Sequence, residues 1–369
     1  MTKQKIKLLF FHPYSSIGGA DLSLSSIMNN LDFKKYSVDF VCIRRDKKTI
    51  PLNKNIKVYE IKTYKTMFSF FNFRKIIKSN IEKNFKKIIL ISNQNFANIL
   101  AFFFTLGLRD KIKIIAYERN HINELNYYFS FNDKIKKIIL KFLIKLTYIK
   151  FDRVITNSKI SSQDLSKFIN SKVITFYNPI ITKKIKKIKK KKSKYFNILN
   201  IGRLVKQKDQ ITIIKAVELI PDNYKAKLKI IGSGPEKTYL GNYINEKNLN
   251  KKVEIMNEKK KVSKFYESSD LFVLSSLYEG FPNVLIESIL HGLPIISSNC
   301  KSGPSEILKN SIVPNMFKIK NHEQLSRKII FYKKNTKMFL KNNQILQRNL
   351  QKFHYKKILD QMDSLFTKI

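Results

Sequence analysis

The sequence predicts an α/β protein made of two Rossmann-like parallel-sheet domains. Three observations carry the prediction. Short β-branched runs alternate with helical patterns, which argues for a parallel sheet with helices on both sides. The runs are apolar almost throughout rather than at every second residue, as expected of strands covered on both faces. The alternation also breaks near residue 190 and then restarts. A length of 369 residues is too much for one ordinary core and suits two domains of ~150–180 residues. A hydrophobic content of 43% is enough to fill both interiors.

In order along the chain, 6–11, 38–43, 56–61, 88–91, 112–117, 154–156 and 173–176 read as strands of a first domain over 1–182. A segment over 183–195 follows, in which Lys183 to Lys194 holds nine lysines in twelve residues. Like charges at that density resist packing, so it reads as a solvated linker or an extended helix end. The runs 196–201, 228–231, 253–256, 271–274 and 295–297 then build a second domain over 196–350. The remaining segment, 351–369, is expected to be a C-terminal helix and is a candidate to pack back on the N-terminal domain. The cleft between two such domains is the expected ligand site.

Composition excludes some function classes. Cys42 and Cys300, far apart in sequence, read as buried or idle thiols in a reducing, cytoplasmic setting. No targeting segment is expected, because the N-terminus runs directly into a strand. The longest apolar run, 96–108, is interrupted by Asn98 and Thr105 and falls short of the ~20 residues of a membrane span. The formal charge of +45 comes almost wholly from lysine, with nine arginines. It reads either as base-composition drift onto solvated faces or as attraction to anionic lipid or polyanionic substrates. None of the thirteen aspartates lies two residues from another, and the five histidines show no metal-ligand spacing, so no metal is expected.

The most informative stretch is Ser275 to Glu287, SSLYEGFPNVLIE, after the strand ending at Leu274. Pro282 suits the first turn of a helix, which is expected to run to about His291 and to stop at Gly292 and Pro294. The amides from Gly280 to Val284 then form an open, partly positive helix end suited to phosphate. Glu279 and Glu287, eight residues apart, straddle that end. By spacing alone they are either site groups or a dipole partner plus a surface glutamate. A second stretch, Gly202-Arg203 through Lys208, follows the first strand of the second domain, where ligands of open sheets bind. Gly18-Gly19 sits between the first strand and first helix and permits close backbone approach. His121 closes the strand run Tyr117-Glu118-Arg119-Asn120, and a lone histidine there is either a site group or a satisfied bystander. His12, Asn157 and Asn178 read as structural.

The run from Tyr278 to Glu287, with His291-Gly292-Leu293-Pro294 and Ser302-Gly303-Pro304, resembles the E-x7-E signature of family 4 glycosyltransferases. The resemblance covers nearly the whole chain in element order, with about six sharp motifs. It implies the GT-B fold, two Rossmann-like domains facing across a cleft, retention of anomeric configuration and no metal requirement. It implies that Glu279 is catalytic, contacting the donor sugar, and that Glu287 holds the ribose hydroxyls. Arg203 and Lys208, with the amides around Gly280, Phe281, Pro282 and Asn283, would stabilise the leaving diphosphate. Gly18 and Gly19 would face the donor phosphates, and His121 would lie near the sugar hydroxyls. The co-substrate implied is a nucleotide diphosphate sugar, foremost a UDP-sugar, with no other cofactor. The acceptor would be a glycan or lipid-linked saccharide. The stretch Gly232-Ser233-Gly234-Pro235-Glu236 is similar to the family's G-x-G-P-E, with Pro235 expected at a helix start and Gly234 near the nucleotide. The segment 309–313 is shorter than the family's glycine-rich loop.

Residues 133–150 carry an apolar stripe at Ile135, Ile138, Ile139, Phe142, Leu143, Leu146 and Ile149, flanked by lysines. This reads as a helix docked on its own sheet with lysines in water, or as an interfacial helix on an anionic membrane surface. Two rival functions are a nucleotide-sugar epimerase of the same fold and a basic nucleic-acid binder led by Lys183–Lys194. The second lacks a recognised module, so no specific nucleic acid is expected.

Overall fold

Strands that are apolar on both faces can be satisfied only in the middle of a three-layer unit, and both sheets of this protein are built that way. The computed structural model describes residues 5–15, 18–46, 50–63, 68–179, 193–259 and 261–369. The lysine run at 183–192 lies outside the described residues. The chain divides into two units, one of Met1–Ile180 with Phe353–Ile369 and the other of Ile181–Lys352.

The first unit contains β1 (Ile6–Phe11), β2 (Tyr14–Ser15), α1 (Gly19–Asn29), β3 (Tyr36–Cys42), β4 (Arg44–Arg45), β5 (Lys57–Glu60) and α2 (Ser69–Ile81). It continues with β6 (Lys87–Asn93), α3 (Asn95–Phe104), β7 (Lys113–Glu118), α4 (Phe131–Tyr148), β8 (Arg153–Thr156), α5 (Lys159–Ile169) and β9 (Val173–Thr175). Seven strands pair in the order β5-β3-β1-β6-β7-β8-β9, every ladder parallel. All six residues of β1 are buried. Even Lys7 is buried, its ammonium 2.6 Å from the Asp39 carboxylate on β3, and burial pulls its pKa down. The two-residue pair β2–β4 is too short to leave a periodic signal and was not expected.

The second unit contains β10 (Phe196–Ile201), α6 (Gln210–Glu218), β11 (Ala226–Ile231), α7 (Lys237–Glu246), β12 (Val253–Met256), α8 (Ser263–Ser268) and β13 (Leu271–Leu274). It goes on with α9 (Asn283–Leu290), β14 (Ile295–Ser298), α10 (Pro304–Ile307), β15 (Met316–Phe317), α11 (His322–Lys334) and α12 (Thr336–Asn349). Its six strands run parallel in the order β12-β11-β10-β13-β14-β15. The edge strand β15 has only two residues and was missed in the sequence.

Both orders reverse direction once. The switch falls between β1 and β6 in the first unit, and between β10 and β13 in the second. Loops leaving the carboxyl ends of strands on either side of such a switch diverge and leave room for a ligand.

The chain ends in α13 (Tyr355–Lys368), which belongs to the first unit. Ile358, Met362 and Phe366 recur every four residues, so they share one face, and all are buried. Asp363 accepts from Tyr36 Oη at 2.5 Å and pairs with Lys35 at 2.6 Å.

On α4 the structure corrects the docked-stripe reading. The helix packs through Leu140, Leu143, Ile144 and Tyr148. Of the stripe residues, all but Leu143 face outward, each at least 42% exposed.

Candidate active site of the second unit

The site is built on the two strands flanking the second switch point. β10 and β13 are neighbours, with Ile198 opposite Leu271. The loops leaving them therefore emerge side by side. After β10 come Gly202 and Arg203, then a short 3-10 turn, Lys206–Lys208. After β13 comes the stretch from Ser275 to Pro282.

These loops are laced together by both backbone and side chains. Leu277 N–H donates to the Gln207 carbonyl at 2.8 Å, and Gln207 Nε2 donates to the Tyr278 carbonyl at 2.9 Å. Ser275 Oγ donates to the Lys208 carbonyl at 2.7 Å. The result places Lys208 Nζ 2.5 Å from Glu279 Oε1, across 71 residues of sequence. The same oxygen accepts from Ser276 Oγ at 2.6 Å. The two side chains are 18% and 8% exposed, so the pair stands at the wall of the site, largely out of water. Lys208 also lies over Gly202, where a Cβ would meet its side-chain carbons at 3.8 Å. Arg203 is exposed and has no side-chain hydrogen bond or ion pair among the described residues, which leaves its guanidinium available.

Gly280 turns the second loop into α9. Its carbonyl accepts from Gly303 N at 3.1 Å and from Ser302 Oγ at 2.8 Å. A Cβ on Gly303 would sit 2.4 Å from Pro282 Cδ, so only glycine lets the two segments close on each other. Pro282 does not occupy the first helical position, as the sequence suggested. It is the N-cap, with extended backbone at ψ 100, and α9 opens at Asn283. The Pro282 carbonyl instead starts the helix by accepting from Leu285 N at 3.1 Å. Phe281 is buried beside it. The C-terminal expectation holds, with His291 as C-cap and Gly292 left-handed at φ 69.

Glu287 lies on α9 and is partly exposed. It accepts from Tyr266 Oη at 2.9 Å, and burial raises its carboxyl pKa. Tyr266 in turn stacks on His291 at 4.9 Å. Tyr266 and Gln207 were not singled out in the sequence, because each acts on a residue outside its own motif or through a backbone carbonyl, whereas Ser276 lies three residues from Glu279 in the same stretch, a spacing that could have pointed to it.

The loop after β11 packs against the loop after β10. A Cβ on Gly232 would fall 1.9 Å from the Gly202 carbonyl, and one on Gly234 would fall 2.3 Å from the Leu204 carbonyl. The Leu204 N–H donates to Ser233 O at 2.8 Å. These glycines answer to loop packing. Pro235 lies two residues before α7, not at its first position, because Glu236 is the N-cap.

Gly18, Gly19 and His121 belong to the first unit. Gly18 is the N-cap of α1 and Gly19 its first residue, in the loop that leaves β1 at that unit's switch point. A Cβ at Gly19 would meet nothing within 4 Å. His121 is 1% exposed and caps the 3-10 turn Ile122–Asn126, accepting from Asn123 N at 3.0 Å. Its Nε2 lies 3.1 Å from Asp164. The Asn123 bond to Nδ1 gives His121 a positioning role within its loop. His12 stands at the end of β1 with Nε2 3.1 Å from Asp21. Asn178 accepts from the buried guanidinium of Arg119, which stacks 3.8 Å over Tyr117 and was passed over in the sequence, while Asn157 Nδ2 donates to the Arg119 carbonyl. Among the described residues no group of three or more His, Cys, Asp or Glu side chains is placed to hold a metal.

Residues 181–353, which are nearly the whole second unit, match the family Glycosyl transferases group 1. An uncharacterized glycosyltransferase of Methanocaldococcus jannaschii is 32% identical over 248 residues, 63% of this chain. The match spans 60% of that relative's length. The amylovoran biosynthesis glycosyltransferase AmsD of Erwinia amylovora is 24% identical over 317 residues, 82% of this chain and 83% of that one. A Campylobacter jejuni enzyme is 31% identical over 198 residues, 52% of this chain and 50% of that one. It is named as an N-acetylgalactosaminyltransferase acting on an N-acetylgalactosamine-N,N'-diacetylbacillosaminyl-diphospho-undecaprenol. The crystal structure of Anabaena HepE with UDP-glucose superposes with a TM-score of 0.77, covering 98% of this chain and 100% of that one, at 16% identity. That likeness shows the fold, and with two parallel-sheet α/β domains the architecture is GT-B. The second unit thus matches the group 1 glycosyl transferases, and relatives named as glycosyltransferases support an enzyme of that type.

Proposed function

We propose that the chain transfers a hexose-type sugar from a nucleoside diphosphate donor, a UDP-sugar, to a hydroxyl of a growing glycan or lipid-linked saccharide. The transfer retains anomeric configuration and needs no divalent cation. It serves surface polysaccharide or glycoconjugate synthesis at the inner face of the membrane. The single observation that carries the reading is the Lys208–Glu279 pair beside the open N-terminus of α9, at the switch point of the second sheet.

The chemistry sets what these groups must do. As the bond from the anomeric carbon to the diphosphate oxygen breaks, negative charge grows on the β-phosphate. Lys208, held by Glu279, and the first-turn amides of α9 are in place before the reaction, and the exposed Arg203 guanidinium joins them as that charge grows. Glu279 orients Lys208 and accepts from a donor-sugar hydroxyl. Glu287 exchanges its tyrosine bond for ribose hydroxyls. The acceptor oxygen bonds to the anomeric carbon on the face the diphosphate leaves, and its proton passes to a phosphate oxygen. The diphospho-undecaprenol substrate named for the Campylobacter relative favours a lipid-linked acceptor, and the Erwinia relative is named for amylovoran biosynthesis.

Thermal melts against a panel of nucleotide sugars test the donor. A UDP-sugar stabilises the parent and leaves Arg203→Ala unshifted. Absence of any shift across the panel refutes the reading. Transfer measured in EDTA, with the product's anomer read by NMR, tests the other two claims. Sugar interconversion without acceptor would identify an epimerase instead.

A further inference from the structure

α4 has two apolar faces, and its own fold uses only one. At 100° per residue, Leu140, Leu143, Ile144, Thr147 and Tyr148 share the docked side. Phe131, Ile135, Ile138, Phe142 and Leu146 fall within an arc of about 100° on the opposite side. Phe131 is 75% exposed and Phe142 65%. Lysines border this outer arc, with Lys134, Lys141 and Lys145 along one edge and Lys150 just past the end of the helix on the other side. The sole acid of the helix, Asp133, is tied to Lys137 at 3.0 Å. Helices packed on the same core also carry exposed phenylalanines, Phe71 of α2 at 77% and Phe103 of α3 at 38%.

An exposed apolar surface of this extent marks an interaction site. Its borders identify the partner. A second copy of the chain would bring lysines against lysines. An anionic bilayer offers what both halves need: hydrocarbon for an arc lying in the interface plane, and phosphates for the bordering lysines at headgroup level. No helix among the described residues is long and apolar enough to cross a membrane, so the fit is to the surface.

We infer that the outer face of α4 docks the enzyme on an anionic lipid bilayer. The purpose of this docking rests on the lipid-linked acceptor proposed above; its physics does not.

The test is flotation of the full chain with vesicles of phosphatidylcholine alone or mixed with phosphatidylglycerol, at low and high salt. The parent floats with the mixed vesicles and keeps part of its binding at high salt. Phe131→Ser with Phe142→Ser lowers partitioning at least about tenfold at both salt levels. Lys134→Glu with Lys145→Glu lowers it chiefly at low salt. A +45 protein adheres to anionic vesicles by charge alone, so phenylalanine variants that bind like the parent overturn the inference. It is equally overturned if the parent does not float, or if those variants instead dissolve an oligomer seen by sedimentation. UDP stabilisation and transfer to a soluble acceptor stay unchanged in these variants, so failure here is distinct from failure of the proposed reaction.

Discussion

Lys208→Met should destabilise the second unit measurably, although it removes a lysine from a chain crowded with them. Most lysines here are solvated, and an exposed ion pair contributes about 0–1 kcal/mol. Breaking a fully buried pair by removing one partner costs about 3–5 kcal/mol. With side chains 18% and 8% exposed and a 2.5 Å contact, Lys208–Glu279 lies toward the buried limit. The substitution keeps the lysine stem and strands the Glu279 carboxylate, which retains the Ser276 hydroxyl as a donor. A loss of about 2–3 kcal/mol follows. For a unit of this size that lowers Tm by about 4–10 °C. Glu279→Gln strands the ammonium and costs a similar amount, whereas the double variant recovers about 1–2 kcal/mol of the summed losses. Calorimetric melts of the four proteins supply the cycle. Single losses that add to within about 0.5 kcal/mol, with no recovery in the double variant, refute the coupling.

Three further outcomes follow from the same geometry. Gly232→Ala places a methyl 1.9 Å from the Gly202 carbonyl and costs more than about 3 kcal/mol, while Gly241→Ala on α7 meets nothing within 4 Å and is neutral or stabilising by about 0.5–1 kcal/mol; urea melts compare the two. Glu124, partly exposed, has its carboxyl pKa raised to about 8, first by burial and then by the charge of Glu118. The folded state therefore holds a proton that the unfolded chain has lost, and stability falls as pH rises from about 4.3 to about 8. Glu124→Gln flattens that fall, seen as a gain in Tm over the parent at pH 8 and none at pH 4. Asp164→Ala frees His121 Nε2 and loosens its turn, raising amide exchange at Asn123; unchanged exchange there would remove the positioning role.

How much of this was legible in the sequence depended on how local the cause was. The long parallel strands were readable because β1 and β7 are buried on both faces and show it residue by residue. β2, β4 and β15 were not, since two residues make no period. The glycine stop of α9 was readable from Gly292, but Pro282 lies one position outside the helix because its neighbours Gly280 and Gly303 bind one another, a contact no local pattern encodes. The outward face of α4 was left open between two readings for a deeper reason. Periodicity reveals an apolar stripe but does not say which of two stripes meets the sheet. Lys208 and Glu279 were each marked by motif, yet their contact depends on β10 and β13 being neighbours. His121 drew attention as a strand-end histidine, while its partner Asp164 is 43 residues away on α5 and left no trace.

The account rests on positive groups holding the diphosphate. Calorimetric titration of UDP in EDTA, into the parent, Arg203→Ala and Lys208→Met, tests it most directly. The predicted result is binding by the parent undiminished by EDTA, weakened about 10- to 100-fold in each variant by the loss of a charged hydrogen bond of about 1.5–3 kcal/mol. Binding that vanishes in EDTA, or variants that bind UDP as tightly as the parent, would contradict it.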